Sequence, residues 1–129
     1  MPDLNNCIIA VIGLGYVGLP LAVSFSKTKK CRLTNEVLER KVVGFDINKK
    51  RIKELKIGFD KTNEITDKNL LRQQNLLFTT KLEEIHTADV FIITVPTPID
   101  KFKKPDLSFL KKVSKLVASV IKLRRKQSK

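Results

Sequence analysis

Three glycines at fixed spacing, Gly13-Leu14-Gly15-Tyr16-Val17-Gly18, follow directly on a continuous apolar run, Cys7–Ile12 (CIIAVI). A run of that length and β-branched content suits a strand buried on both faces, as in a parallel sheet. After the glycines, Leu19, Leu21, Ala22 and Phe25 recur near helical spacing. Pro20 falls in the first turn of that helix, where its missing N–H breaks no intrahelical bond. A strand, a glycine turn and a helix in this order make a place for a diphosphate. Gly13 permits the tight turn, Gly15 lets the backbone approach the phosphates, and Gly18 lets the helix pack closely on the strand. The helix N-terminus adds unpaired N–H groups and the positive end of its dipole.

The rest of the chain repeats the alternation. Lys41–Phe45 (KVVGF) predicts a second buried strand that ends at Asp46, and Asn48–Ile57 predicts a helix stopped by Gly58. Asp67–Gln74 predicts a short helix with Leu70 and Leu71 inward, and Leu76–Thr79 a short third strand. Lys81–Thr87 reads as a helical turn, and Val90–Val95 (VFIITV) as a fourth strand ended by Pro96 and Pro98. Asp106 predicts the N-cap of a last helix carrying Leu107, Leu110, Val113, Val117 and Ile121 on one side. Thr28–Arg40 reads as a polar, extended insert with one helical turn. Strands alternating with helices give the α/β class, a Rossmann-type open parallel sheet with flanking helices and right-handed crossovers. About four strands fit, in the order 3-2-1-4. Residues 1–123 are expected to form this partial dinucleotide-binding domain, and residues 124–129 a basic, disordered tail.

Composition narrows the partners. The 129 residues carry 26 Lys and Arg against 13 Asp and Glu, a formal charge of +13. Such a charge favours phosphate-bearing partners. The basic residues are nevertheless spread along the chain, with one cluster at Lys122–Lys129, and no aromatic residues interleave them as in single-strand nucleic-acid binders. Most of these lysines are therefore expected on solvated faces, with no nucleic-acid partner. No apolar run approaches the ~20 residues of a membrane span. The N-terminus has no signal-peptide pattern, so a cytoplasmic protein is expected. Cys7, Cys31 and the single histidine, His86, lie apart in sequence, and no metal site is expected.

Two further positions join the glycine turn. A carboxylate at the end of the second strand, Asp46, accepts hydrogen bonds from the ribose hydroxyls beside adenine and repels a 2′-phosphate, which favours NAD over NADP. It lies further from the glycines than the usual ~20 residues, and the polar insert accounts for the excess. Asp46 also suits an N-cap for the following helix, and the two roles are compatible. Val95-Pro96-Thr97-Pro98 closes the fourth strand. In an open sheet of order 3-2-1-4, the ligand crevice opens beyond the carboxyl ends of strands one and four. Gly13–Gly18 and Thr97 would flank it.

GLGYVGLPLA (Gly13–Ala22), GFDINKKRI (Gly44–Ile52) and VPTP (Val95–Pro98) together resemble the nucleotide-sugar 6-dehydrogenases, the UDP-glucose/GDP-mannose dehydrogenase family. The resemblance runs from Ile8 to about Ile121. Gly58–Glu64, VPTPID and Pro105-Asp106-Leu107 look most like the UDP-N-acetylhexosamine branch, which makes uronic-acid sugars for surface polysaccharides. The resemblance implies NAD as cofactor and a UDP-sugar as substrate of the full-length family. It implies that Tyr16 and Val17 meet the pyrophosphate through their backbone, that Asp46 and Arg51 hold the adenosine ribose end, and that Thr97 contacts the cofactor near the crevice. Arg51 lies one turn into the helix after Asp46, so its guanidinium can fold back over the adenosine.

Family members are several times longer and oxidise the sugar C6 alcohol through a thioester on a downstream cysteine. Cys7 and Cys31 do not match that cysteine, so no catalytic residue is assigned and the chain alone is expected to be inactive. Where the family continues into a fifth strand, this chain has Arg124–Lys129, too charged for a buried strand. The expectation is a truncated product whose fourth strand has an unpaired edge open to association, including homo-oligomers. Three other readings stay open: a stand-alone nucleotide-binding module that works with a partner chain, a basic nucleic-acid-binding protein, and another Rossmann dehydrogenase. The YVGLP and VPTP runs argue against the last.

Overall fold

The computed structural model describes residues 6–28, 30–38, 40–65, 68–95 and 101–127. Four strands, β1 (Ile8–Ile12), β2 (Lys41–Phe45), β3 (Leu76–Thr79) and β4 (Val90–Ile93), form one parallel sheet in the order β3-β2-β1-β4. Helix α1 (Gly18–Lys27) follows β1, and α2 (Lys49–Lys56) and α3 (Lys68–Leu71) lie between β2 and β3. A 3-10 turn, Leu82–Ile85, precedes β4, and α4 (Ser108–Gln127) comes last. The α/β class and the strand order are those the sequence predicts.

The sheet is covered on both faces, which is why its strands read as unbroken apolar runs. Successive side chains of β1 point to opposite faces. Ile9 and Val11 join Leu19, Ala22 and Val23 of α1, Ile52 and Leu55 of α2, and Leu71 of α3 in one core. Ala10 and Ile12 join Val43, Phe45, Ile85, Val113 and Val117 in the other. Leu14, Leu19 and Leu55 are wholly buried. Each contributes about 1.5–3 kcal/mol by burial. Truncation of Leu19 to alanine would cost about 2–5 kcal/mol.

The helix ends follow from single residues. Asn48 caps α2, its side chain accepting from the Arg51 N–H at 3.1 Å. At the other end Gly58, at φ +83°, turns the chain away, while its N–H bonds to Leu55 O and that of Phe59 to Glu54 O. Those two bonds are the paired closure that a left-handed glycine permits. Asp106 holds the start of α4, accepting from the N–H and hydroxyl of Ser108 at 3.0 and 2.7 Å. The insert between α1 and β2 folds on itself through an antiparallel bridge, Lys30 with Val37. It enters β2 at the amino end of the sheet.

Some boundaries differ from the sequence pattern. The buried stripe of α4 is Val113, Val117 and Val120, with Ile121 44% exposed in place of the predicted contact. The helix also continues through Gln127, so residues 124–127 are helical and not the structureless tail expected for 124–129. Arg, Lys and Gln are good helix formers, and no glycine or proline intervenes to stop the turn. Strand β4 ends at Ile93, two residues before the apolar run does.

Candidate functional site

After β1 the chain builds outward through β2 and β3, then crosses back to place β4 on the other side of β1. A crevice of about 570 Å³ opens where the order reverses, above the carboxyl ends of β1, β2 and β4. Its wall is Ile12–Val17, Phe45–Asn48, Thr94, Val95 and, from α4, Val113. The volume is that of a small-molecule site, about 300–1,000 Å³.

The floor is the glycine turn. Gly13 has φ +96°, and a Cβ there would stand 2.9 Å from the carbonyl oxygen of Thr94. Gly18 is tighter still, since a Cβ would overlap the carbonyl of Gly13 and the hydroxyl of Thr94. These two glycines hold α1 against β1 and β4. Gly15 differs, with nothing within 4 Å of the position a Cβ would take. Packing does not require glycine at this position. What its bare backbone provides is an approach for something in the crevice. Tyr16 and Val17 are exposed beside it, and α1 begins with no side-chain cap and no acidic residue in its first turn. Leu19 N–H already bonds to the Gly15 carbonyl and Pro20 has no N–H, so what this helix end offers an anion is the positive end of its dipole and the N–H groups of the turn that precedes it.

Leu14, wholly buried between the glycines, is held by both its backbone N–H and its carbonyl. Its N–H donates to Asp46 Oδ2 at 2.9 Å, and its carbonyl accepts from Arg51 Nε at 2.8 Å. Asp46 Oδ1 accepts from the Asn48 N–H at 2.9 Å. The carboxylate is thus aimed by two backbone donors, and lone pairs remain on both oxygens for hydroxyl donors in the crevice. Asp46 does not cap α2 itself; Asn48 does, and Asp46 fixes the approach to it.

The structure brings Gly13, Gly15, Tyr16, Val17 and Asp46 to one crevice and sets Gly18 directly behind them. Arg51 is placed otherwise than over an adenosine. It is 9% exposed, outside the crevice wall, and its Nη1 pairs with Asp60 at 2.7 Å. Nη2 is buried and has no partner among the described residues. Thr97 lies outside the described residues. Sequence reasoning missed Thr94, whose hydroxyl donates to the Gly13 carbonyl at 2.7 Å, with the Ile12 carbonyl at 3.2 Å. It also missed Asp60, whose side chain is wholly buried. Neither stands in a motif with a chemical reading of its own.

Tyr16 and Asp46 are the titratable side chains of the crevice wall. Cys7 is buried at the amino end of β1 and Cys31 lies in the insert, both away from it. Among the described residues no three His, Cys, Asp or Glu side chains gather as metal ligands. Such a crevice can hold and orient a ligand, with anion donors at one wall and a carboxylate at another.

Comparison with known proteins decides which ligand. Residues 7–126 match the model of the UDP-glucose/GDP-mannose dehydrogenase family, NAD binding domain. The chain belongs to that family. NAD is therefore the cofactor of this domain, and the crevice fits it: open space over Gly15 for the diphosphate, and Asp46 with acceptor capacity for a diol. Among the relatives, Protein CapL of Staphylococcus aureus is 51% identical over 113 residues, 88% of this chain and 24% of that protein. The UDP-N-acetyl-D-glucosamine 6-dehydrogenase of Salmonella typhi is 50% identical over 121 residues, 94% of this chain and 26% of that enzyme. Among solved structures, the UDP-D-ManNAc dehydrogenase of Pyrococcus horikoshii superposes with a TM-score of 0.70 at 34% identity, covering 88% of this chain and 25% of that one. The chain spans about a quarter of the length of the curated relatives it matches. Among the described residues no helix is long and apolar enough to cross a membrane.

Proposed function

We propose that this chain is the cofactor-binding part of an NAD-dependent dehydrogenase acting on a UDP-N-acetylhexosamine for polysaccharide synthesis. We further propose that the 129 residues alone bind NAD without oxidising sugar. The observation that carries the reading is the join of Leu14 to Asp46, which ties the diphosphate turn and the ribose carboxylate into one unit. Identity of 50% to the Salmonella typhi enzyme supports the substrate class.

NAD, when bound, supplies a two-electron hydride acceptor. The chain's own residues bind and orient it. Gly13 and Gly18 set the turn, Gly15 clears the approach, and the N–H groups of Tyr16 and Val17 meet the pyrophosphate. Asp46 takes the ribose hydroxyls on its free lone pairs. Thr97 is proposed, from the family resemblance alone, to contact the cofactor. Arg51 acts from beneath, through the Leu14 carbonyl. Among the described residues the crevice wall carries no cysteine to hold the oxidised sugar as a thioester, which supports inactivity of the chain alone.

Titration with NADH and NADPH, followed by an assay with UDP-N-acetylglucosamine and NAD, tests the whole reading. NADH should bind and NADPH should bind more weakly, with no NADH formed from the sugar. Equal affinity for the two dinucleotides would remove Asp46 from its role, and turnover would overturn the inactivity of the isolated chain.

A further inference from the structure

We infer that Asp60 is a positioning residue for the cofactor: through Arg51 it holds the carbonyl of Leu14, and with it the glycine turn, in the form that receives the diphosphate, without itself touching the crevice. The inference rests on the reading of that crevice as the NAD site.

Asp60 sits in the loop after α2, off the crevice wall. Its side chain is wholly buried, yet the loop around it is exposed, with Lys61–Glu64 open to solvent. A buried carboxylate in an exposed loop calls for a reason, and its partners provide one. Oδ1 accepts from Arg51 Nη1 at 2.7 Å, from the Thr62 hydroxyl at 2.7 Å and from the Thr62 N–H at 3.0 Å. Oδ2 accepts from the Ile65 N–H at 2.9 Å. Three of these four donors belong to the loop itself and lock the carboxylate in place. The fourth is Arg51.

A guanidinium is a rigid planar fork. Fixing Nη1 on Asp60 therefore fixes the direction in which Nε points, and Nε points at the Leu14 carbonyl. The other end of the same residue is tied to Asp46. The turn is thus braced from two sides, by a residue that faces the cofactor and by a relay that does not. Removing Asp60 would leave a buried arginine uncompensated, which is strongly unfavourable and would draw the guanidinium toward water and away from Leu14. A lysine at position 51 is a point charge on a flexible stem and could serve one partner but not both.

The test uses the whole 129-residue chain. NADH is titrated by fluorescence against the wild type, Asp60→Asn, Arg51→Lys and the double variant, with thermal melts alongside. Val120→Ala, in the core of α4 and away from the crevice, controls for simple loss of stability. Asp60→Asn should raise the NADH Kd about 5- to 20-fold, Arg51→Lys should do the same, and the double variant should be no weaker than either. Val120→Ala should lower the melting temperature and leave Kd alone. Should Asp60→Asn fail to fold, Thr62→Val removes one donor from Asp60 and should raise Kd about twofold; an unchanged Kd there would overturn the inference. Wild-type affinity in Asp60→Asn, or multiplying effects in the double variant, would also overturn it and leave the NAD site standing. A wild type that binds no NADH would overturn the reading of the crevice, and the inference with it.

Discussion

The hydroxyl of Thr94 donates to the carbonyl of Gly13 at 2.7 Å, and the α-carbon of Gly18 packs against that bond. The contact joins the end of β4, the start of the glycine turn and the first residue of α1 at one point. Gly18 and Gly15 then serve different ends. Gly18→Ala forces its Cβ into the Gly13 carbonyl, which cannot move without shifting the turn, and against the Thr94 hydroxyl. The expected cost is about 1–3 kcal/mol, as for other overpacked sites, read as a lower urea midpoint. Gly15→Ala meets open space and should change stability by no more than about 0.5 kcal/mol, while its methyl group weakens NADH binding. A Gly15→Ala variant that binds NADH normally would show that the diphosphate does not approach there.

Thr94→Val keeps the shape of the side chain and removes the donor. The Gly13 carbonyl then loses a partner in a half-buried setting, at a cost of about 1 kcal/mol. Denaturation of Thr94→Val beside Thr94→Ser checks the assignment, because serine retains the hydroxyl. A loss in Thr94→Ser with none in Thr94→Val would mean that the methyl group, and not the hydrogen bond, is what matters.

On the proposed reading of the crevice, Asp46 carries the choice of dinucleotide. Asp46→Ala should weaken NADH binding by about 1–3 kcal/mol, the range for hydrogen bonds to a charged group. Part of that loss comes from the freed Leu14 and Asn48 N–H groups, so affinity alone does not isolate the ribose contact. The ratio of NADPH to NADH affinity does, since repulsion of a 2′-phosphate depends on the charge. Asp46→Asn keeps one acceptor oxygen and loses the charge, and should narrow the ratio toward one. A ratio that stays at the wild-type value would move the discrimination elsewhere in the crevice.

How far the sequence reaches can be seen at these residues. β2 and β3 begin and end where the pattern places them, because each apolar run is bounded by polar or turn residues. The glycine turn and Asp46 were legible as parts of one crevice because close strand–helix packing and a carboxylate at a strand end leave local marks in the sequence. Thr94 and Asp60 were not legible, because their partners lie 81 and 9 residues away and nothing local announces the bond. The family resemblance, supported by the helical offset, sets Arg51 against the adenosine. The offset is right, but the buried carboxylate that captures the guanidinium is a tertiary fact. The run past Ile121 shows the converse: charge suggested a loose tail, while backbone propensity kept the helix going to Gln127.

The buried pair of Arg51 and Asp60 makes a prediction in acid. Burial works to raise the Asp60 pKa, but the Ile65 N–H, the Thr62 hydroxyl and Arg51 outweigh it and hold the pKa at about 2, against the ordinary 3.8. A carboxylate depressed in the folded state binds protons more weakly there than in the unfolded chain. Its contribution to stability is therefore complete above pH 3.8 and is lost as pH falls toward 2. A depression of this size corresponds to about 2 kcal/mol at neutral pH. Asp60→Asn has no such proton to gain, so the gap in unfolding free energy between it and the wild type should be widest near pH 5 and close progressively below pH 4. Urea unfolding of both proteins across that range reads the gap directly. A gap that stays constant down to pH 2.5 would mean that Asp60 is not ionised against Arg51, and that the brace beneath the glycine turn is not an ion pair.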